Sequence, residues 1–283
     1  MSVLVTGATG TVGRLVVEGL LADGEKVRAV TRTPATAGLP AAVEVVAADL
    51  NDPTTLTPRL FDGVDRVVVF PIAGVADLVE TALAGGTPHF VVLSSLAAAL
   101  EHPRDVGSAS AVHHLAVEEA VKSRTDRWAV VRPGTFANNL LSWAYPIKAG
   151  RPIRAPYLQS AQAPIHEADV ADAVLSLLRD TERLRGSTHP ITGPQALTRI
   201  QQVAAIEAAI GTRIELVEIA PQQFREETAP FIPAGITDML LHYWRDTLTE
   251  PDQVRSIRPL CGRDGRELRQ WARDHAADFR AHP

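Results

Sequence analysis

The chain has 283 residues, a formal net charge of −5 at pH 7 and one cysteine, Cys261, so it can form no intramolecular disulfide. The net negative charge argues against the basic face that binding to nucleic acid requires. No apolar run reaches the ~18 residues of a membrane span. Because the N-terminus also lacks a secretory type of segment, we expect a cytoplasmic protein without nucleic-acid or membrane partners.

Strand-like and helix-like segments alternate through the first half of the chain. Helices are predicted after the first strand, from Asp52-Pro53 (an N-cap followed by proline), and over 75–85 and 109–123. This alternation predicts an α/β fold with a doubly wound parallel sheet, the Rossmann arrangement, over residues 1–134. The strands are predicted at 2–6, 26–31, 42–47, 65–70, 89–95 and 128–134.

The pattern loosens after about residue 135, where prolines interrupt short apolar pieces. No linker divides the chain, so we expect residues 135–283 to form mostly a smaller α+β substrate-binding lobe, interleaved with the core. Helices are predicted at 168–180, 197–211 and 265–279, and strands near 189–192 and at 213–219.

The stretch LVTGATGTVG places Gly7, Gly10 and Gly13 between the first strand and a helix pattern. A dinucleotide-binding turn needs residues without Cβ for the tight turn, for the approach of the pyrophosphate and for close helix packing. The helix N-terminus then offers free N–H groups to the phosphates. A purely structural turn is the alternative, but the flanking strand and helix favour dinucleotide binding.

The end of the second strand distinguishes NADP from NAD. NAD sites carry a carboxylate there for the ribose 2′-OH, whereas this chain has Thr31 and Arg32. The planar guanidinium of Arg32 suits a 2′-phosphate, with Arg14 assisting. We therefore expect NADP(H), with NAD(H) the less favoured cofactor; the alternative is that both arginines are solvated surface residues. Asp49 is either an acceptor for the adenine amino group or a simple loop carboxylate.

Six segments occur in an order typical of one family: VTGATGTVGR, AADLND, VVLSS, VVRPGTFANN, PIHEADVADAV and ITGPQALT. By these the chain resembles atypical short-chain dehydrogenases/reductases, and among them the NmrA-like group, which includes NADPH-dependent quinone oxidoreductases, triphenylmethane reductase and NADPH-sensing regulators. The resemblance reaches about residue 280 and implies a Rossmann lobe with a smaller substrate lobe. Together with the glycines, it implies a cofactor site made of Gly7, Thr9, Gly10, Thr11, Val12, Gly13, Arg32, Asp49, Leu50, Phe70, Pro71, Ser94, His114 and Pro133.

The resemblance also shows that a catalytic pair is missing. Many members of the superfamily use a tyrosine and a lysine four residues apart on the helix after the fifth strand. Aligned on Glu118, this chain has Ser110 at the tyrosine position and His114 at the lysine position. His114 is therefore a candidate for contact with the ribose hydroxyls of the cofactor.

With the tyrosine and lysine missing, other side chains, His114 among them, are candidates for the catalytic roles. His114 and His113 are possible acids near neutral pH, although a histidine on a helix is more often a surface or packing residue. Ser95 is preferred to Ser94 as the serine that orients a substrate carbonyl. Tyr145 is a further candidate for the proton donor.

The segment after the sixth strand lies at the carboxyl edge of the sheet, where ligands bind in such folds. Asparagine there either polarises a carbonyl oxygen or caps a helix, and Trp143 on a lid segment suits stacking on a flat substrate. No zinc-binding H-E-x-x-H sequence occurs, so no metal is expected. The predicted substrate-binding residues are Phe136, Asn138, Asn139, Trp143 and His166.

These observations predict an NADPH-dependent oxidoreductase of a small conjugated or planar molecule, such as a quinone, enone or imine. For such substrates the cofactor supplies the hydride and water can supply the proton. The alternatives are an NADP(H)-binding sensor or regulator without turnover and a non-redox biosynthetic enzyme on the same fold. The sequence leaves open whether the protein is a monomer or a homodimer.

Overall fold

The structure is a computed structural model that describes residues 2–86 and 88–280. Its strands are β1 Ser2–Val5, β2 Lys26–Thr31, β3 Glu44–Ala47, β4 Arg66–Val69, β5 His89–Leu93, β6 Trp128–Pro133, β7 Ile153–Ala155, β8 Ala161–Gln162, β9 Ser187–Ile191, β10 Leu197–Thr198 and β11 Leu216–Glu218. Its α-helices are α1 Thr11–Ala22, α2 Val75–Gly85, α3 Ala109–Lys122, α4 Ala144–Lys148, α5 Glu167–Arg179, α6 Arg199–Ile210, α7 Pro221–Thr228, α8 Ala234–Asp246, α9 Arg258–Cys261, α10 Leu268–Asp274 and α11 Ala276–Phe279.

One parallel sheet organises the first half of the chain. Its strand order is β3-β2-β1-β4-β5-β6-β9, with every neighbouring pair parallel. The strands β4 and β5 are buried along their whole length, as expected for parallel strands covered on both faces. The doubly wound α/β fold is therefore confirmed. The strand order reverses beside β1, and ligands of such sheets bind at the carboxyl edge of that reversal.

The chain forms two compact units. The first contains the residues up to Pro133, together with Glu167–Ile191 and Pro259–Gly262, and the second contains Gly134–His166, Thr192–Arg258 and the residues from Arg263 onward. Both α5 and β9 thus belong to the first unit although part of the second precedes them in the sequence. That the second unit binds the substrate stays a prediction.

Each unit has its own core. In the first, apolar residues of the sheet pack with those of α2 and α3, for example Val67, Leu78 and Val121. In the second, β10 pairs antiparallel with β8 and β11 pairs parallel with β7. The indole of Trp271 and the ring of Phe279 fill the second core together with residues of α6. No helix of the described residues is long and apolar enough to cross a bilayer.

Two predicted helices differ from the structure. After Asp52, only a 3-10 turn forms over Pro53–Thr55, because Leu56 already has an extended backbone at φ −85° and ψ 115°. Pro58 also disfavours helical backbone in the residue before it. The helix predicted over 265–279 is split into α10 and α11 at His275, whose ring stacks on Trp271 with centroids 4.7 Å apart.

His89 is a buried polar group of the first unit without an observed partner. Its side chain is 1% exposed, and neither ring nitrogen has a hydrogen-bond partner among the described residues. Burial, helped by the nearby Arg127, lowers the pKa of His89 to about 4. The imidazole is therefore neutral in the folded protein at pH 6, whereas in the unfolded chain it titrates near its ordinary value.

This difference predicts a pH dependence of stability. The unfolded chain binds a proton at His89 between about pH 6.5 and 4 and the folded chain does not, so the free energy of unfolding should fall as pH falls through that window, by up to ~1.4 kcal/mol per pH unit. Urea titrations at pH 7, 6 and 5 measure the slope. It should be shallower in His89→Leu and unchanged in the exposed control His242→Leu; equal slopes in His89→Leu and wild type contradict the prediction.

Candidate functional site

The turn between β1 and α1, Gly7 to Gly13, has the geometry of a phosphate-binding loop. Gly7 has φ +62°, and a Cβ there would lie 3.0 Å from Cγ of Phe70. A Cβ on Gly13 would lie 2.1 Å from the Gly7 carbonyl oxygen, so only glycine permits this close packing. A Cβ on Gly10 would meet only that same oxygen, at 3.4 Å. Gly7 and Gly13 thus shape the turn, and Gly10 leaves its outer surface open.

The N-terminus of α1 is open to a ligand. Gly10 is the N-cap, no side chain caps the helix, and no acidic residue lies in its first turn. Thr9, Gly10 and Thr11 are exposed, whereas Val12 is buried beneath them. The free N–H groups and the positive end of the helix dipole suit an anion.

Two arginines near this turn differ in their partners. Arg14 donates from Nε to the Thr9 carbonyl at 3.0 Å and from its two terminal nitrogens to the carbonyls of Gly38 and Ala37 at 2.7 and 2.8 Å. It therefore ties the turn to the loop after β2. Arg32, directly after β2, is exposed and has no hydrogen bond or ion pair with a described residue. Because β2 lies beside β1 in parallel, Arg32 and the turn share one edge of the sheet.

The loops after β3 and β4 complete this edge. Asp49 accepts a hydrogen bond from the Asn51 N–H through Oδ1 at 3.0 Å, which leaves Oδ2 for another donor. A Cβ on Gly74 would lie 1.9 Å from the Leu50 carbonyl oxygen, so this loop packs directly on the start of α2. Phe70 is held by its N–H, which donates to Thr6 Oγ1 at 2.8 Å, and Pro71 follows.

A hydrogen-bond and ion-pair network that was not predicted from the sequence joins α3 to β6 and to the end of β5. Ser94 Oγ donates to Glu118 Oε1 at 2.5 Å, and Arg132 donates to both carboxylate oxygens at 2.8 and 2.7 Å. Lys122 Nζ donates to Oε2 at 2.6 Å. Burial raises the pKa of Glu118, but the hydrogen bonds from Arg132, Lys122 and Ser94 outweigh it and leave that pKa below its usual value. The Ser94 hydroxyl therefore anchors α3 to the sheet.

The signals for this network were present but weak. Glu118 and Lys122 have the i, i+4 spacing of a helical ion pair, and Arg132 interrupts an otherwise apolar strand. Neither signal says that the three side chains meet. Pro133, which ends the same strand, is buried opposite Ile191 of β9.

The catalytic candidates in the first unit are Ser95, predicted to orient a substrate carbonyl, and His114 and His113, predicted as possible acids. Ser95 Oγ accepts a hydrogen bond from the Ala97 N–H at 3.3 Å, which leaves its own O–H free to donate to a ligand. His114 has a buried Nδ1 without a partner among the described residues. Burial, with His113 5.5 Å away between ring centroids, lowers the pKa of His114 to about 4. A neutral imidazole at pH 7 argues against His114 as an acid near neutral pH. His113 is exposed.

Several predicted substrate-binding residues make structural contacts in the second unit. Phe136 forms a parallel bridge with Ile165. Asn138 Oδ1 accepts a hydrogen bond from Trp271 Nε1 at 3.3 Å, so this oxygen already holds the C-terminal segment. His166 is 5% exposed, and its Nε2 lies 3.2 Å from Asp274 Oδ2.

The segment predicted as a lid divides into a buried and an exposed part. The indole of Trp143 is only 9% exposed and packs in the core of the second unit, because an apolar ring of this size finds its partners there. Asn139 is exposed. Tyr145 is 68% exposed, and its hydroxyl accepts a hydrogen bond from Arg151 at 3.4 Å. Within the described residues, no group of three or more His, Cys, Asp or Glu side chains could hold a metal ion.

The NmrA-like family model matches residues 1–275. The chain is also similar, at 32% identity over 98% of this chain and 99% of the relative, to a (4-alkanoyl-5-oxo-2,5-dihydrofuran-3-yl)methyl phosphate reductase of Streptomyces griseus. An NAD(P)H azoreductase of Xenophilus azovorans is 30% identical over 99% of both chains. The chain therefore belongs to the NmrA-like family, and the resemblance found in the sequence is confirmed.

Solved structures agree on the fold. An NADPH-dependent quinone oxidoreductase from Escherichia coli superposes with a TM-score of 0.78 at 22% identity, covering 95% of this chain and 98% of that one. The triphenylmethane reductase of Citrobacter sp. gives a TM-score of 0.78 at 19% identity, covering 98% and 99%. At these identities the likeness is one of fold.

The Glu118 network yields a stability prediction. In Glu118→Gln, Arg132 and Lys122 lose the buried charge that compensates them, so we expect the free energy of unfolding to fall by about 3 kcal/mol. Urea unfolding at pH 7 measures this loss. The matched control is Glu119→Gln, one residue further along α3 and exposed, which should unfold like the wild type; a loss below about 1 kcal/mol in Glu118→Gln would refute the structural role.

Proposed function

We propose that this chain is an NADPH-dependent reductase that transfers a hydride to a small conjugated or planar molecule. The observation that carries the proposal is the exposed, unpaired guanidinium of Arg32 on the same sheet edge as the uncapped N-terminus of α1. The turn suits a pyrophosphate and the guanidinium suits a 2′-phosphate. When bound, NADPH supplies the hydride for the reaction.

The relatives support the same activity. Both relatives that share 30% identity or more over nearly the whole chain are reductases, one named for NAD(P)H and one for a phosphate-bearing oxo-dihydrofuran. Their alignments include both units, so the comparison concerns the whole protein and not the nucleotide-binding part alone. The substrate class proposed here depends on this chain's own residues.

Those residues favour an easily reduced acceptor. Ser95 keeps a hydroxyl proton with which it can donate to a substrate oxygen. His114, neutral at pH 7, binds a ribose hydroxyl of the cofactor and leaves protonation to water. Without a tuned acid, the substrate must accept a hydride readily, as quinones, enones and imines do.

A second candidate function follows from the absence of the tyrosine and lysine of the catalytic pair. With Ser110 and His114 at the positions of the catalytic pair, the protein could bind NADP(H) and act as a regulator without turnover. A panel of quinones, enones and imines separates the two functions on one sample. Substrate-dependent oxidation of NADPH supports the reductase, whereas tight binding of NADPH without oxidation by any member supports the regulator.

Arg32→Ala tests the choice of cofactor. The loss of charge-assisted hydrogen bonds to the 2′-phosphate should weaken NADPH binding about 10- to 100-fold and change NADH binding less than about twofold. Fluorescence titration of each cofactor gives both constants. The control is Gly10→Val, whose side chain the fold admits but which fills the space of the pyrophosphate, so both cofactors should be lost together. Equal losses in Arg32→Ala would exclude the 2′-phosphate role.

His114→Ala tests positioning against acid catalysis. We expect KM for NADPH to rise about tenfold, the effect of one lost hydrogen bond, with kcat changed far less. Because the pKa of His114 is lowered to about 4, the pH profile of kcat between 5.5 and 8 should keep its shape in the variant. His113→Ala is the matched control and should leave KM unchanged. If the variant removes a limb of the profile near pH 6.5, His114 is an acid after all.

A further inference from the structure

The second unit contains a buried cation without an anionic partner among the described residues. Arg199, the first residue of α6, is 5% exposed, its Nε is buried without a partner, and its guanidinium makes no hydrogen bond to a described residue. The guanidinium carbon lies 3.7 Å from the ring centroid of Trp244. Burial lowers the pKa of Arg199 to about 9 against the opposing effect of the nearby Tyr243, so the group is still charged at pH 7.

The polar groups around Arg199 are satisfied by one another. The start of α6 is closed by a capping box in which Thr198 and Gln201 bond reciprocally to backbone N–H groups. The buried amide of Gln202 donates to Gln162 and to the Leu197 carbonyl at 3.2 and 2.8 Å. Buried polar groups of native proteins are nearly always paired in this way. Among the described residues at the start of α6, the guanidinium of Arg199 is the exception.

The carboxylate that binds the neighbouring Tyr243 hydroxyl is also engaged. Asp252 accepts from the Tyr243 hydroxyl and, at 3.1 Å, from the Ala163 N–H. The Tyr243 hydroxyl additionally lies 2.8 Å from Thr135 Oγ1. Among the described residues, no carboxylate acts electrostatically on the guanidinium of Arg199 strongly enough to offset its burial.

An unpaired buried charge is strongly destabilising, and stacking on an aromatic ring offsets only part of that cost. A methionine or leucine would fill the same space without this cost. We propose that Arg199 binds an oxyanion, phosphate or carboxylate, on the molecule that the protein acts upon. Trp244 covers one face of the planar guanidinium, and the N–H groups at its edge are left to bind two oxygens side by side.

This inference rests on the proposed function only where it assigns the anion to the substrate that the enzyme reduces. Binding of an anion at Arg199 can itself be tested without turnover. The probes are inorganic phosphate and acetate, titrated at constant ionic strength with sodium chloride in the presence of saturating NADP⁺. Tryptophan fluorescence reports binding, because Trp244 stacks on the guanidinium. Wild type should show a saturable change with phosphate or acetate, and the stronger of the two identifies the anion.

Arg199→Met should weaken this binding at least tenfold, and Arg213→Met, an exposed arginine of the same unit, should leave it unchanged. Trp244→Phe should lose the fluorescence signal but still bind by calorimetry. Thermal unfolding gives a second readout: because the unpaired charge is removed, Arg199→Met should melt no lower than wild type, and the anion should raise only the wild-type Tm. Should Arg199→Met fail to fold, Arg199→Lys keeps the charge without the fork and should bind more weakly.

The inference is overturned if wild type binds neither anion or if Arg199→Met binds the anion as tightly as wild type. It is also overturned if the fluorescence change with phosphate or acetate is lost in Arg32→Ala instead. NADPH titrations on the same samples separate this inference from the proposed function. Binding of NADPH without binding of either anion overturns only the role of Arg199. Binding of phosphate through Arg199 without binding of NADPH overturns the proposed reductase and leaves the anion site in place.

Discussion

The position of α1 is the constraint on which the first unit depends. At its N-terminal end, Gly13 lies so close to the Gly7 carbonyl that a Cβ would approach it to 2.1 Å. Further along, Gly19 faces Leu175 of α5, whose Cδ1 would lie 2.3 Å from a Cβ. Two close contacts therefore fix the helix along its axis and against its neighbour. Its open N-terminus is held at the sheet edge by packing, so the proposed phosphate site requires no side chain to form it.

This arrangement explains why the first unit is not continuous in the sequence. The helix that receives Gly19 is α5, which follows the excursion of residues 134–166 into the second unit. A fragment ending at Pro133 would lack both this support and the edge strand β9, which pairs with β6. The geometry of the glycine turn thus depends on residues as far along the chain as Ile191, although its motif occupies the first 13 residues.

Charged side chains with hydrogen-bond or ion-pair partners are structural, and those without such partners are the functional candidates. Only some of these partnerships could be predicted from the sequence. Periodicity located the strands and main helices because burial on one face is a local pattern. The glycines and Arg32 were singled out because the roles predicted for them depend on position beside a strand. Pairings between distant residues left no such pattern. Asn138 meets Trp271 across 133 positions, and Glu118 of α3 meets Arg132 of β6 across 14 positions. The burial of Trp143 and Arg199, and the break at His275, likewise depend on tertiary packing.

The helix α3 offers no replacement for the missing catalytic pair. Its one lysine, Lys122, is engaged by Glu118, and the depressed pKa of His114 keeps that imidazole neutral. Under the proposed function, rate enhancement must then come from holding an intrinsically reactive acceptor in place, since positioning alone can contribute about 7–11 kcal/mol to lowering a barrier. Binding interactions remote from the reacting atoms become the means of that positioning. An uncompensated cation such as Arg199 is costly to the fold and useful for this purpose, because its charge is satisfied only when the right molecule is bound.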